Sequence, residues 1–146
     1  MHLWGEKTEA FIDVWSIEHF ASGIGVGYLV IFILSKLKYK ENNKDYKLMF
    51  YMMVILTAYL WEVIEHYLET GAINDHITFW FQGVEFWGNR IIADPLLMLL
   101  GATCYLKYNF LSKYAQVFSI TWIFSHVFIF PHSMYLQDKL LIKILS

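Results

Sequence analysis

The chain has 146 residues, of which 58% are hydrophobic and 19% aromatic, and its formal net charge is −2. This length fits one domain, and so apolar a composition is typical of an integral membrane protein rather than a soluble one. No basic stretch interleaved with aromatics occurs, so we expect no nucleic-acid partner. The single cysteine, Cys104, excludes an internal disulfide and a cysteine-based zinc site.

Four membrane-spanning helices are predicted, which makes the fold class all-α and the protein polytopic. The first 14 residues are a polar and aromatic lead-in, for which we predict an interfacial helix with Trp4 and Phe11 toward lipid. Four apolar runs follow, and each has about the length that a helix needs to cross the hydrocarbon core. The predicted spans cover about residues 15–37, 48–69, 84–108 and 114–130.

The first span contains a pair of glycines four residues apart, Gly23 and Gly27. Small residues at this spacing let the backbone of a neighbouring helix approach closely. We therefore predict that the pair serves helix packing. It also offers a face for a homo-oligomer or for assembly into a larger membrane complex.

The loops between the spans differ in charge. The loops at 36–47 and 107–113 hold seven of the eleven basic residues, and the connector at 70–83 holds none. Because basic loops stay in the cytoplasm, this bias predicts that both termini lie outside it. We expect a bacterial inner-membrane protein with membrane lipid as its surrounding partner.

With this topology, the ionisable residues of the spans lie in their outer halves, whereas the inner halves are apolar. They are Glu18 and His19 in the first span; Glu62, Glu65, His66 and Glu69 in the second; Glu85, Asn89, Arg90 and Asp94 in the third; and His126 and His132 at the end of the fourth. The four residues of the second span fall on one helical face. We predict that these side chains converge in one leaflet.

Partners are expected for the acids, because an unpaired carboxylate within the hydrocarbon costs at least about 2.5–3.5 kcal/mol. Arg90 is the only arginine of the chain. It pairs either with Asp94, four residues further along its own helix, or with a glutamate of the second span. Asp94 precedes Pro95, which leaves two alternatives. In the first, the third span starts at Pro95 and a separate interfacial or re-entrant helix covers 84–92. In the second, the helix is continuous and kinked at the proline.

A metal site is the first functional hypothesis, because imidazole together with several carboxylates suits zinc, iron or manganese. The predicted metal ligands are His19, Glu62, Glu65, His66, Glu69 and Asp94. As an enzyme, the protein would be a metal-dependent hydrolase or transferase acting on a lipid or envelope precursor. The predicted catalytic residues are Glu65 and Asp94, as metal ligand or general base, and Arg90, which would bind an anionic group such as a phosphate.

Three other hypotheses stay open at this point. The acids also suit a proton- or cation-coupled carrier, although the inner halves of the spans offer almost no polar groups for a pathway. A buried network of ion pairs that specifies helix packing would make the protein a structural subunit. Histidine pairs drawn from His19, His66 and His126 suggest haem, against which the carboxylates around His66 argue.

Three motifs carry a resemblance to known proteins: EHF at 18–20, WEVIEH at 61–66 and NRIIADPLLMLLGA at 89–102. The region of about 15–105 resembles small bacterial membrane proteins of the VanZ-like and YjdF-like families. The resemblance implies a role in the cell envelope, and VanZ-like proteins are linked to glycopeptide resistance. It also implies the same site residues, but it implies no defined reaction. The chain departs from the families in having Pro95 directly after the aspartate and in the additional His66 and Glu69.

Overall fold

A computed structural model of the protein describes residues 2–39, 44–73, 81, 83–125 and 128. Its elements are β1 (His2–Trp4), β2 (Ala10–Ile12), α1 (Val14–Lys36), α2 (Tyr46–Glu69), a π-helix (Asn89–Ala93), α3 (Asp94–Lys107) and α4 (Leu111–Phe124). The described parts of the first three predicted spans agree closely with these helices. The fourth helix begins three residues earlier than predicted, and its predicted end at 126–130 lies largely outside the described residues.

The lead-in was predicted wrongly as an interfacial helix. It forms two short parallel strands instead, in which His2 pairs with Ala10 and Trp4 with Ile12. Phe11 packs edge-on against Phe86, with ring centroids 5.5 Å apart. Between the strands the chain makes a single turn, in which the Ala10 N–H donates to the Glu6 carbonyl at 2.9 Å. A small β element is therefore added to an otherwise helical fold.

Helix α1 starts where the sequence supplies a capping box. Asp13 Oδ1 accepts a hydrogen bond from the Ser16 backbone N–H at 3.0 Å, and Ser16 Oγ accepts one from the Asp13 N–H at 3.1 Å. This reciprocal pair satisfies two backbone donors that have no partner inside the helix. The same cap fixes the first turn of α1 beside the polar end of the bundle.

Helices α1 and α3 pack with their backbones in direct contact. A Cβ on Gly23 would overlap the Met98 carbonyl oxygen, and a Cβ on Gly101 would overlap the Phe20 carbonyl oxygen. A Cβ on Gly27 would lie 3.1 Å from the Cα of Ala102. The predicted packing role of the glycine pair is confirmed. Because α3 occupies this face, the glycines supply no surface for a homo-oligomer.

The third helical segment is continuous rather than divided. The π-helix leads directly into α3, with Pro95 in the first turn of α3, so the alternative of a separate helix over 84–92 is wrong. Pro95 has no N–H to donate to the Ile91 carbonyl four residues earlier. The Tyr59 hydroxyl of α2 donates to that carbonyl instead, at 3.0 Å. A side chain from α2 thus satisfies the backbone where the proline interrupts it.

In the second half of α2, the buried side chains are polar and the exposed ones are apolar, the reverse of what a soluble protein shows. Glu62 and Glu65 are only 3% and 6% exposed, whereas Val63 and Ile64 between them are 53% and 42% exposed. Apolar side chains outside and carboxylates inside suit an apolar surrounding medium. Helices α1 and α2 are both long and apolar enough to cross a membrane.

Candidate metal centre

The start of α1, the end of α2 and the π-helix region bring together a group of buried acids, which we call the acidic cluster. Its six carboxyl groups, 0–6% exposed, belong to Asp13, Glu62, Glu65, Glu69, Glu85 and Asp94. In the part of the chain that the structure describes, Lys7 and Arg90 are the permanent cations that contact it. Four negative charges therefore remain to be compensated by protons or by bound cations.

His19 lies at the centre of the cluster and is only 2% exposed. Its Nε2 atom is 3.3 Å from Asp94 Oδ2, across the interface between α1 and α3. Ser16 Oγ, one turn before His19, donates to the other oxygen of Asp94 at 2.9 Å. The close approach at Gly23, one turn after His19, holds these two helices at this separation.

Two glutamates of α2 complete a group that suits a metal ion. His19 Nδ1 is 3.7 Å from Glu62 Oε1, and His19 Nε2 is 4.0 Å from Glu65 Oε2. One ligand atom from each of the three residues lies within 4.8 Å of the other two. Two atoms that bind one zinc ion at about 2.0–2.2 Å lie at most about 4.4 Å apart, so the group is close to a ligand arrangement.

Three of the possible ligand atoms of this group, on His19 and Glu62, lack hydrogen bonds within the described part of the chain. Neither His19 Nδ1 nor either carboxylate oxygen of Glu62 has a hydrogen-bond partner among the described residues, and all three atoms are buried. Buried polar atoms are nearly always hydrogen-bonded, so an exception calls for a specific explanation, such as an ion. Toward the residues that the structure describes, the Glu62 side chain has only ion-pair contacts, at 3.7 Å to His19 and 3.9 Å to the Arg90 Nε atom.

Glu69 is bound by cations on both sides. Lys7 Nζ lies 2.5 Å from Glu69 Oε1, and an Arg90 terminal nitrogen donates to Oε2. The backbone N–H of Glu85 also donates to Oε2, at 3.1 Å. Of the two partners predicted for Arg90, the structure therefore shows a glutamate of the second span. Both Glu69 oxygens are engaged, which leaves this predicted ligand outside the metal group.

Sequence reasoning missed Lys7, as it missed Asp13 and Ser16. Lys7 is 4% exposed, and the β element places it beside Glu69. A backbone hydrogen bond from Phe86 N–H to the Lys7 carbonyl, at 2.8 Å, ties the lead-in to the segment before the π-helix. The sequence offered little signal, because Lys7 stands among other charged residues in a stretch without helical periodicity.

His66 was predicted as a metal ligand, but the structure places it on the exposed side of α2. Its Nδ1 atom is 3.2 Å from an Arg90 terminal nitrogen. Because a guanidinium only donates, Nδ1 is the acceptor in this contact. The buried face of α2 advances from Glu62 to Glu65 and Glu69. His66 lies at the edge of this face, away from His19.

Asp13 joins the cluster from the residue that precedes α1. Burial raises the pKa of its carboxyl group, against the opposing effect of hydrogen bonds from the Ser16 and Trp15 backbone N–H groups. Asn89 extends the network, because its Nδ2 atom donates to Glu85 Oε1 at 3.0 Å. The predicted additional histidines, His126 and His132, lie outside the described residues.

A pocket of about 560 Å³ opens beside the cluster, between α2 and the segment that leads into the π-helix. Most of its wall is aromatic or aliphatic. The lining residues are Tyr59, Glu62, Val63, His66, Tyr67, Val84, Glu85, Trp87, Arg90 and Ile91. The pocket therefore connects an apolar surface to two of the buried carboxylates.

No protein-family model, curated protein or solved structure matches this chain. The resemblance to the VanZ-like and YjdF-like families thus stays a prediction, and function has to be inferred from the geometry of the site.

Proposed function

We propose that the protein binds a divalent or transition metal ion, such as zinc, iron or manganese, through His19, Glu62 and Glu65. The observation that carries the proposal is the set of buried atoms without hydrogen bonds, His19 Nδ1 and both Glu62 oxygens. A neutral imidazole nitrogen and carboxylate oxygens are ligands that all three metals accept. A bound cation would also compensate part of the excess negative charge of the acidic cluster.

Asp94, predicted as a ligand, has a geometry that favours a different role. Its Oδ1 accepts from Ser16, and its Oδ2, which has no hydrogen bond among the described residues, lies 3.3 Å from His19 Nε2, where it would orient the imidazole. A carboxylate on the second ring nitrogen fixes the tautomer of a metal-binding histidine and raises its basicity. Nδ1 of His19 would then be the ligand atom.

A metal here supports hydrolysis or group transfer on a lipid or envelope precursor. The ion would supply Lewis acidity and a water of lowered pKa. Of the predicted catalytic residues, Glu65 would act as a metal ligand and Asp94 would orient His19, rather than either acting as a general base. Arg90 is held by Glu69 and Glu85, which favours a positioning role over capture of a phosphate. The pocket beside the cluster would admit the substrate from the apolar side.

The proposal includes a four-span membrane topology with both termini outside the cytoplasm of a bacterium. Its support is the apolar exterior of α2, the length and hydropathy of α1 and α2, and the lysine-rich loops. Labelling of cysteines introduced singly at Leu3 and Lys44, in a Cys104→Ser background, tests it. A membrane-impermeant reagent should modify the first site in intact cells and the second only after lysis.

A proton- or cation-coupled carrier is the second candidate. Six buried carboxyl groups facing two permanent cations are the observation that favours it, because such a cluster takes up cations or protons readily. Ion flux in proteoliposomes that is lost in Glu65→Gln, with no turnover of lipid, would favour this candidate over the enzyme.

Elemental analysis of the purified full chain tests metal binding. The protein should retain about one equivalent of metal, as for a single site with protein ligands, and Glu62→Gln should lose it. Glu18→Gln is the matched control, because Glu18 is a buried carboxylate of α1 next to His19 but outside the proposed ligand set. A wild-type protein that holds only traces of metal, even after reconstitution, would overturn the proposal.

A further inference from the structure

The pocket beside the cluster has walls that suit an organic cation. Three aromatic side chains line it, Tyr59, Tyr67 and Trp87, and they remain 42%, 54% and 60% exposed. Aromatic faces attract ammonium groups through the quadrupole of the ring. The volume of about 560 Å³ lies within the range of about 300–1,000 Å³ that is usual for small-molecule sites.

The polar part of the same pocket contains two buried carboxyl groups. Glu62 and Glu85 line it while being only 3% and 4% exposed. Both Glu62 oxygens and Glu85 Oε2 are buried without a hydrogen-bond partner in the described part of the chain. These carboxylates are therefore available to a ligand that brings positive charge into the pocket.

The two basic side chains of the pocket do not reverse this preference. Glu69 offsets the charge of Arg90, and Glu85 Oε2 lies 3.6 Å from a terminal nitrogen of the same arginine. His66 is itself in contact with Arg90, through its Nδ1 atom at 3.2 Å. With more carboxylates than cations around it, the pocket disfavours an anionic headgroup and favours a cationic one.

We propose that this pocket binds the ammonium headgroup of a membrane lipid. The ammonium group would lie between the aromatic side chains and the carboxylates of Glu62 and Glu85, and the acyl chains would extend over the exposed apolar face of α2. This inference rests on the proposed function, for which it names the class of lipid. Lipid recognition and metal binding share Glu62 but otherwise use different residues.

Native mass spectrometry of the full chain, treated with a chelator and exchanged into neutral detergent, tests the inference. The probes are phosphatidylethanolamine and phosphatidylglycerol with identical acyl chains, added in equal amounts, and free phosphoethanolamine. We expect phosphatidylethanolamine to be retained about tenfold or more over phosphatidylglycerol, because only the former carries an ammonium group. Free phosphoethanolamine should bind much more weakly, since it lacks the apolar contact.

Variants separate this inference from the metal proposal. Glu85→Gln should lower retention of phosphatidylethanolamine about tenfold while leaving the metal content unchanged, because Glu85 lies outside the metal group. Glu18→Gln should change neither. Equal retention of the two phospholipids, equal binding of phosphoethanolamine, or full retention in Glu85→Gln would each overturn the inference. Loss of metal binding alone would overturn only the proposed metal centre.

Discussion

His19 Nε2 lies 3.3 Å from Asp94 Oδ2, although the two residues are separated in sequence by about half of the chain. The contact depends on backbone packing, because Gly23 and Gly101 let α1 and α3 touch one turn and two turns away from these side chains. Two glycines, which carry no chemistry themselves, thus set the separation of an imidazole and a carboxylate.

Gly23→Ala should destabilise the protein, because its Cβ would overlap the carbonyl of Met98. Overpacking of this kind costs about 1–3 kcal/mol of the free energy of unfolding. Gly25→Ala on the same helix is the matched control, since its Cβ would lie 3.7 Å from the Gln116 side chain, an ordinary contact. Thermal unfolding in detergent measures both. Equal midpoints for the two variants would contradict the proposed packing.

Asp94→Asn should weaken metal binding by about 10–100-fold, the usual effect of removing the carboxylate that orients a metal-binding histidine. The metal should still bind, because the proposed ligands His19, Glu62 and Glu65 remain. A competition titration with a chromogenic chelator measures the affinity. Complete loss of metal would instead make Asp94 a direct ligand, and an unchanged affinity would exclude both roles.

Lys7→Met should be strongly destabilising, because it leaves Glu69 with one cation fewer in a buried site. Removing one partner of a buried ion pair costs about 3–5 kcal/mol of the free energy of unfolding. Because Glu69 keeps its contact with Arg90, we expect a cost at the lower end of this range. Lys44→Met, at an exposed position, should have little effect. Denaturant unfolding compares the two. The double variant Lys7→Met/Glu69→Gln should recover part of the loss.

Tyr59→Phe should cost about 0.5–1.5 kcal/mol, because the Ile91 carbonyl loses the hydroxyl that satisfies it. In a Pro95→Ala background, the restored N–H of residue 95 can serve that carbonyl. The same Tyr59→Phe change should therefore cost less there, which a double-mutant cycle of unfolding free energies detects. Identical costs in both backgrounds would show that Tyr59 does not act through this carbonyl.

Much of the architecture could be predicted from local properties of the sequence. Apolar runs and polar loops indicated the helices, and the spacing of Gly23 and Gly27 indicated a close helix contact. The placement of Glu62, Glu65 and Glu69 on one helical face follows from helical periodicity alone. These features depend on neighbouring residues, so one sequence suffices to predict them.

The rest depends on contacts between distant segments. Nothing local distinguishes Lys7 from the other charged residues of the lead-in, and its burial follows from its distant partner Glu69. His66 has the spacing expected of a ligand. Its position around α2, a few tens of degrees from the buried face, brings it into contact with Arg90 instead of His19. Periodicity predicts which face a residue occupies, but not which residues at its edge reach a neighbouring helix.

X-ray absorption spectroscopy of the metal-loaded full chain tests the proposed centre most directly. The spectrum should show scattering from one imidazole together with oxygen ligands at about 2.0–2.2 Å, and His19→Ala should remove the imidazole contribution. A spectrum of an all-oxygen, hydrated ion in the wild type, or an imidazole signal that persists in His19→Ala, would contradict it.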